Sequence, residues 1–202
     1  MKLKPQISLS PNQFGFRSNT STAMALTIFK ETVYNYVNKG SNVYASFLDL
    51  SKAFDKVNHN YLMLKLMKQN VSPNLINIIY NIYQNQLVNV NFQNTQSNCW
   101  RLGNGVRQGG IISPLMFNLY IDDVLREVLD THDGCKLGLR MNNIQAYADD
   151  IVILSPTASG LQKLLIAVND KLSSLALKTN PNKCTCMIFN SKKNILYDPH
   201  YF

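Results

Sequence analysis

The sequence predicts an α+β fold, an antiparallel sheet covered by helices on one face. Three observations lead there. Helix-like and strand-like periodicities are mixed along the chain without the strict βαβ alternation of a parallel sheet. Apolar residues make up 46% of the 202-residue chain, enough for a sizeable core. No internal repeat or long linker interrupts it, so one domain with at most a smaller subdomain is expected.

The elements follow in order. The stretch to Asn19 is turn-rich and polar. Ser21 or Thr22 then caps a helix to about Val37, with Met24, Ile28 and Phe29 on its apolar side, and Lys39-Gly40-Ser41-Asn42 ends it. Val43–Leu50 reads as an apolar strand with Asp49 near its end. A short helix around Tyr61–Lys68 precedes a second one opened by Ser72-Pro73, with Pro at its first position. Val88–Phe92 and Cys99–Leu102 alternate as a hairpin. Beyond the glycine-rich stretch from Gly103 to Gly110, Ser113 caps and Pro114 starts a helix to about Leu129. Strands are expected at Lys136–Arg140 and Ile144–Leu154, turning at Met141-Asn142-Asn143 and at Asp149-Asp150. A helix from Ser159 to Leu175 and a strand at Cys184–Phe189 complete the pattern.

Twenty Lys and Arg against twelve acids give a net charge of +8, which favours a polyanionic partner. The basic residues are scattered and form no amphipathic basic helix, so nucleic acid is expected rather than a membrane. No apolar run approaches the roughly 20 residues that span a bilayer, and Met1-Lys2-Leu3-Lys4-Pro5 lacks a secretory signal. Cys99, Cys135, Cys184 and Cys186 form no metal-ligand or disulfide pattern. Cys184 and Cys186 share one face of a strand. Buried, reduced thiols and an intracellular setting, nuclear or cytoplasmic, are expected.

The chemistry concentrates in two stretches. In Ile144-Gln145-Ala146-Tyr147-Ala148-Asp149-Asp150-Ile151-Val152, two adjacent carboxylates interrupt an apolar strand–turn–strand. Burying an unpaired carboxylate costs several kcal/mol or drives it neutral. The pair therefore reads equally as a solvated hairpin tip or as a cation site. In Phe47-Leu48-Asp49-Leu50-Ser51-Lys52-Ala53-Phe54-Asp55, an acid again ends an apolar strand. Alone, Asp49 reads as a local cap. Together the three acids supply the oxygen-rich donor set that two Mg²⁺ ions need to bridge a triphosphate and an attacking hydroxyl.

Here a family resemblance becomes specific. Phe47–Asp55 resembles motif A of retroelement reverse transcriptases, and Tyr147-Ala148-Asp149-Asp150 resembles their motif C, the Tyr-x-Asp-Asp box. Gly105-Val106-Arg107-Gln108-Gly109-Gly110-Ile111-Ile112-Ser113-Pro114-Leu115 is similar to motif B, continued by Phe117-Asn118-Leu119-Tyr120 in non-LTR style. Leu177–Cys184 resembles motif D, and Gln13-Phe14-Gly15-Phe16-Arg17-Ser18 the segment that precedes motif A in non-LTR elements. Five matches in order span nearly the whole chain.

The resemblance implies a polymerase palm with its antiparallel sheet backed by helices, and a partial fingers subdomain. Residues 1–41 would be partial fingers, 42–190 mostly palm with a fingers-side excursion, and 191–202 a truncated tail. It implies an RNA-directed DNA polymerase of LINE type that uses an RNA template, a DNA primer, dNTPs and two Mg²⁺ ions, with Mn²⁺ as an alternative. Asp49 and Asp149 would be the principal metal ligands and Asp150 the accessory one, with the Leu50 carbonyl completing one shell. Phe54 occupies the steric-gate position that rejects a ribose 2′-hydroxyl, although it reads also as a core aromatic. Lys52, Ala53, Arg107, Gln108, Gly109 and Tyr147 would line the nucleotide and template pocket. Arg107 reads nearly as well as a solvated arginine. Lys183 matches the motif D lysine near the leaving pyrophosphate, or is a solvated lysine after an Asn-Pro-Asn turn, with equal weight.

Two further features are expected to be silent. Asp122-Asp123 reads as the solvated face of a helix, and His59, His132 and His200 lack metal spacing, with a structural role expected for His59. The family's first fingers motifs and its thumb are expected to be missing, which suggests a fragment of a longer polyprotein or an eroded reading frame. The competing reading is therefore a catalytically silent remnant that only binds RNA. Phe54 speaks against an RNA-synthesising palm enzyme, and the non-LTR flavour of Phe14–Arg17 against an intron maturase.

Overall fold

The structure, a computed structural model, describes residues 7–131 and 133–190. Residues 1–6, His132, and the tail expected over 191–202 with His200 lie outside the described residues. In chain order the elements are α1 (Thr22–Asn38), β1 (Val43–Leu48), a 3₁₀ turn (Phe54–Lys56), α2 (His59–Lys68), α3 (Pro73–Gln84), β2 (Leu87–Val88), β3 (Asn91–Phe92), β4 (Thr95–Gln96) and β5 (Trp100–Arg101). There follow α4 (Ser113–Leu129), β6 (Lys136–Leu137), β7 (Arg140–Met141), β8 (Ile144–Tyr147), β9 (Asp150–Ser155), α5 (Ala158–Ser174) and β10 (Thr185–Phe189).

The helices begin where short polar side chains satisfy free amides. Ser21 accepts from the Met24 amide, Asn58 from that of Tyr61 and Thr157 from that of Gly160. Pro73 stands at the first position of α3, where its missing N–H is no loss.

Two compact units result. One comprises Leu9–Ala53 and Ile121 onward. Its centre is a four-stranded sheet in the order β10-β1-β9-β8, antiparallel throughout. The register sets Phe47 opposite Val152 and Leu48 opposite Ile151. On one face, Val43, Ala45 and Leu154 pack with Val33 of α1 and Cys135, flanked by Phe29, Phe47, Val152 and Phe189. By strand alternation Ile151, Ile153 and Ser155 point the other way, and Ser155 stands against Gly160 of α5. A helix therefore covers each face, which corrects the expectation of helices on one face only. Two separated apolar stripes require this. Ile151 and Ile153 are 2% and 0% exposed, so the second face also needs a cover.

The other unit comprises Phe54–Tyr120 with residues 7–8. Leu62, Leu66, Ile79, Tyr83, Met116 and Phe117 are each buried there. The hairpin expected from Val88 to Leu102 is split in two. β2 pairs with β5, and β3 with β4 across a turn in which Gln93 and Asn94 take φ 47° and 62°. The primed turn suits the right-handed twist of the strands. The single strand expected over Lys136–Arg140 is likewise a small hairpin, β6 with β7, in the sheet-bearing unit.

Two expectations about side chains are overturned. Asp122 is no solvated helix residue: it is 1% exposed, accepts from the Ser10 amide at 2.6 Å and pairs with Arg126 one turn on. Of the four free cysteines only Cys135 is buried, its thiol pushed up to about 12 by loss of hydration, while Cys99 is exposed and Cys184 and Cys186 are half-buried. Among the described residues no helix is long and apolar enough to cross a membrane.

The Asp122 contacts give a stability prediction. Asp122→Asn turns a donor toward Arg126 and weakens a buried charged acceptor, so urea unfolding should show a loss of about 1–3 kcal/mol. An unchanged midpoint would return Asp122 to the solvated class.

Candidate active site

Three carboxylates gather at one end of the sheet because three chain segments end there. β1 stops at Leu48 and Asp49 follows it. β8 and β9 join through the two-residue turn Ala148-Asp149, and Asp150 is already the first residue of β9, paired with Tyr147. Asp150 thus belongs to the strand, where the sequence suggested a turn. Continuing the register of Leu48 with Ile151 sets Asp49 next to Asp150. Asp150 feels the other two charges. The Asp150 carboxyl is held above the usual carboxylate range, first by lost hydration, then by Asp149 and Asp49.

A short chain segment braces the Asp49 end. Ser51 N–H donates to Lys178 O and Asn180 N–H to Asp49 O, both at 2.8 Å, so the backbones flanking Leu50 bridge to the segment that carries Lys183. Lys183 Nζ stands 3.8 Å from Asp49 Oδ2, a loose pair, with the lysine 66% and the aspartate 33% exposed. Contacts of this exposure contribute about 0–1 kcal/mol. Lys52 is exposed with φ 50°, and Ala53 is buried.

A cleft of about 680 Å³ opens on the α1 face of the sheet. Thr22, Leu26 and Phe29 of α1 form one wall, Phe47, Gln145, Tyr147 and Val152 the floor, and Asp49, Asp150 and Lys183 the charged end. Asp49 and Asp150 therefore share one face of the sheet. The carboxylate oxygens are hard donors that suit Mg²⁺ or Mn²⁺, and a divalent cation relieves their mutual repulsion, so the donor chemistry fits such an ion. Among the described residues, no three His, Cys, Asp or Glu side chains are gathered closely enough to enclose one.

The turn that carries Asp149 is held from outside the sheet. Ala148 takes φ 57°, a left-handed value that costs a residue with a Cβ about 1 kcal/mol or more. The buried Gln13 side chain meets it: Oε1 accepts from the amides of both Ala148 and Gly15 at 3.0 Å. Gly15 is needed here for space, since a Cβ would stand 2.5 Å from the Ala148 nitrogen. Gln13 and Gly15 lie in the stretch that resembles the segment before motif A, and nothing in their local pattern gives either a role. No local pattern signals a contact across 135 residues.

The remaining candidates lie in the other unit. Phe54 is half-buried, its ring stacked on Phe117 with centroids 4.5 Å apart and planes at 16°. Arg107, Gln108 and Gly109 are exposed, and Gly109 supplies the φ of 79° that the loop requires. His59 is structural as expected: buried, it donates from Nε2 to Gly105 O at 2.7 Å and stacks on Tyr83.

The raised Asp150 carboxyl yields a pH prediction. A folded pKa above the unfolded one means that ionised Asp150 destabilises the fold above that pKa, and the cost is relieved as pH falls through the carboxylate range. Asp150→Asn should therefore raise the Tm at neutral pH, with a gain that shrinks on acidification. A lower Tm at neutral pH would contradict the repulsion.

With this geometry in view, comparison with known proteins is decisive. The family model described as reverse transcriptase (RNA-dependent DNA polymerase) matches residues 1–197. The chain is 32% identical over 91% of its length to the Retrovirus-related Pol polyprotein from type-2 retrotransposable element R2DM of Drosophila melanogaster. It is 34% identical over 72% to the corresponding polyprotein from type-1 element R2 of Nasonia vitripennis. It spans 17% and 14% of those relatives. Among solved structures, telomerase from Candida albicans in complex with a telomeric RNA fragment superposes with a TM-score of 0.68 at 11% identity, over 91% of this chain and 32% of that one. Telomerase from Candida tropicalis gives 0.65 at 15%, over 91% and 34%, so the fold is shared. The chain belongs to the reverse transcriptase (RNA-dependent DNA polymerase) family, and to its non-LTR retrotransposon branch.

Proposed function

We propose that the chain carries out nucleotidyl transfer on an RNA template: a primer 3′-hydroxyl attacks the α-phosphate of a dNTP and pyrophosphate leaves. The observation that carries this reading is that the end of β1 and the β8–β9 turn bring Asp49, Asp149 and Asp150 to one end of the sheet, with Asp49 and Asp150 at the charged end of the cleft. In this reading Asp49 and Asp149 would hold two Mg²⁺ ions, or Mn²⁺, with Asp150 and the Leu50 carbonyl as accessory donors. When bound, such ions lower the pKa of the attacking hydroxyl and neutralise charge on the leaving group.

The chain's own groups do the rest. Lys183 stands beside Asp49 and would donate a proton toward the leaving pyrophosphate. Gln108 offers both donor and acceptor to a nucleotide or template base, and Arg107 a charge to phosphate. Gly109 allows backbone approach, while Tyr147, Lys52 and Ala53 line the nucleotide site. Phe54, its ring fixed by stacking on Phe117, excludes a 2′-hydroxyl by contact. From residue 42 onward the sheet-bearing unit would be the palm and Phe54–Tyr120 the fingers-side excursion, while residues 1–41 would be partial fingers. A net charge of +8 suits the RNA template and DNA primer.

Primer extension in a chimera that sets the chain into the Drosophila melanogaster relative tests this. Asp149→Asn should lower extension by on the order of a hundredfold or more while the fold persists. Phe54→Val should lose most of the preference for deoxynucleotides over ribonucleotides. A wild-type chimera that binds RNA in a salt-dependent way but extends nothing in Mg²⁺ or Mn²⁺ would favour the RNA-binding remnant instead. Unchanged sugar selection would make Phe54 a core aromatic only.

A further inference from the structure

We propose that Gln13 is a positioning residue for the carboxylate turn, setting the backbone of Ala148 and through it the direction of Asp149; this rests on the role given to Asp149 above. β8 is an edge of the four-stranded sheet. Residues 12–14 run along it as a short parallel bridge, with Ala146 N–H donating to Asn12 O at 2.9 Å and Phe14 N–H to Ala146 O at 2.8 Å. That bridge delivers the Gln13 side chain to the end of the strand, where it is 0% exposed.

There one side-chain oxygen serves two amides, those of Ala148 and Gly15, while Nε2 stands 3.4 Å from Ala148 O. The Ala148 amide is itself buried, so without Gln13 it loses its acceptor. A two-residue hairpin turn with Ala rather than Gly, Asn or Asp at its left-handed position is weakly specified by its own sequence. An external clamp then decides which turn geometry is held. The residue that follows is Asp149, so a change of backbone direction at Ala148 re-aims the carboxylate. Phe16, 6.2 Å from the Tyr147 ring, adds an apolar contact to the same turn. Asn143 is an equally buried amide placed elsewhere, bonded to Val128 O and Asp133 O, and serves as control.

The test uses the 202-residue chain and two readouts, native-state amide exchange and Mn²⁺ binding followed by electron paramagnetic resonance. Gln13→Met keeps the shape and removes the acceptor. It should speed exchange of the Ala148 and Gly15 amides by about tenfold or more, leave the Ala45 amide protected, and weaken Mn²⁺ binding by about tenfold. Gln13→Glu, which keeps an acceptor oxygen, should retain protection at both amides. Asn143→Leu should lower the Tm without affecting either readout. Should Gln13→Met fail to fold, Gln13→Asn, one methylene shorter, reads the same two quantities.

Fast exchange at Ala148 with unchanged Mn²⁺ affinity, while Asp149→Asn abolishes Mn²⁺ binding, would reduce Gln13 to a structural role and overturn the proposal. Unchanged exchange would overturn the clamp itself. If Asp149→Asn leaves Mn²⁺ binding intact, the reading of the acids fails first, and the positioning role falls with it.

Discussion

β1 lies between β10 and β9, hydrogen-bonded along both edges, and its register with β9 is the constraint on which the active-site end depends. Because side chains alternate with a period of two, a slip of one residue would move Asp49 to the other face, where Leu48 and Ile153 are buried. The apolar demand of both faces prevents this. Val43 and Ala45 are needed on the α1 side, Leu48 and Ile153 on the other, and all four are buried. Asp49 and Asp150 are therefore placed side by side by hydrophobic packing several residues away, against their own repulsion.

That repulsion is kept at the boundary of the core, where water and cations can reach it. Asp49 keeps a third of its side chain exposed, and the cleft beside it opens between α1 and the sheet. Lys183 arrives from the segment bridged to Asp49 and Ser51, so a positive charge is tied to the same strand end. In the other unit the candidate groups are fixed by separate means. Phe117 stacks on Phe54, and His59 holds the carbonyl of Gly105 at the start of the glycine-rich loop. The end of the sheet thus carries the acids, and an exposed loop carries Arg107 and Gln108.

What was legible in the sequence is what depends on local pattern. The apolar run ending at Asp49, the apolar strands around Asp149-Asp150 and the Ser21 and Pro73 helix starts all rest on periodicity or capping within a few residues. What was not legible depends on distant partners. Asp122 looked solvated because its acceptor role is set by the Ser10 amide, 112 residues away. Gln13 looked like one polar residue in a turn-rich stretch because the amide it holds is 135 residues on. The second helical cover was missed because alternation in β9 is masked: Ile151, Ile153 and Leu154 are all apolar, so neither face announces itself as the wet one. The split hairpin was missed because Gln93-Asn94 adopts a tight turn without glycine.

In the proposed function Asp49 and the Asp149-Asp150 pair, about a hundred positions apart, would form one divalent-cation site. Iron-directed backbone cleavage tests it most directly: Fe²⁺ with ascorbate and peroxide generates radicals at the ion, and the cut positions are read by mass spectrometry. Two clusters of cuts are expected, one around Asp49 and one across Tyr147–Asp150, both suppressed by excess Mg²⁺. Cuts confined to the Asp122-Asp123 or Asp130 region, or cuts near Asp49 alone that Mg²⁺ does not suppress, would contradict it.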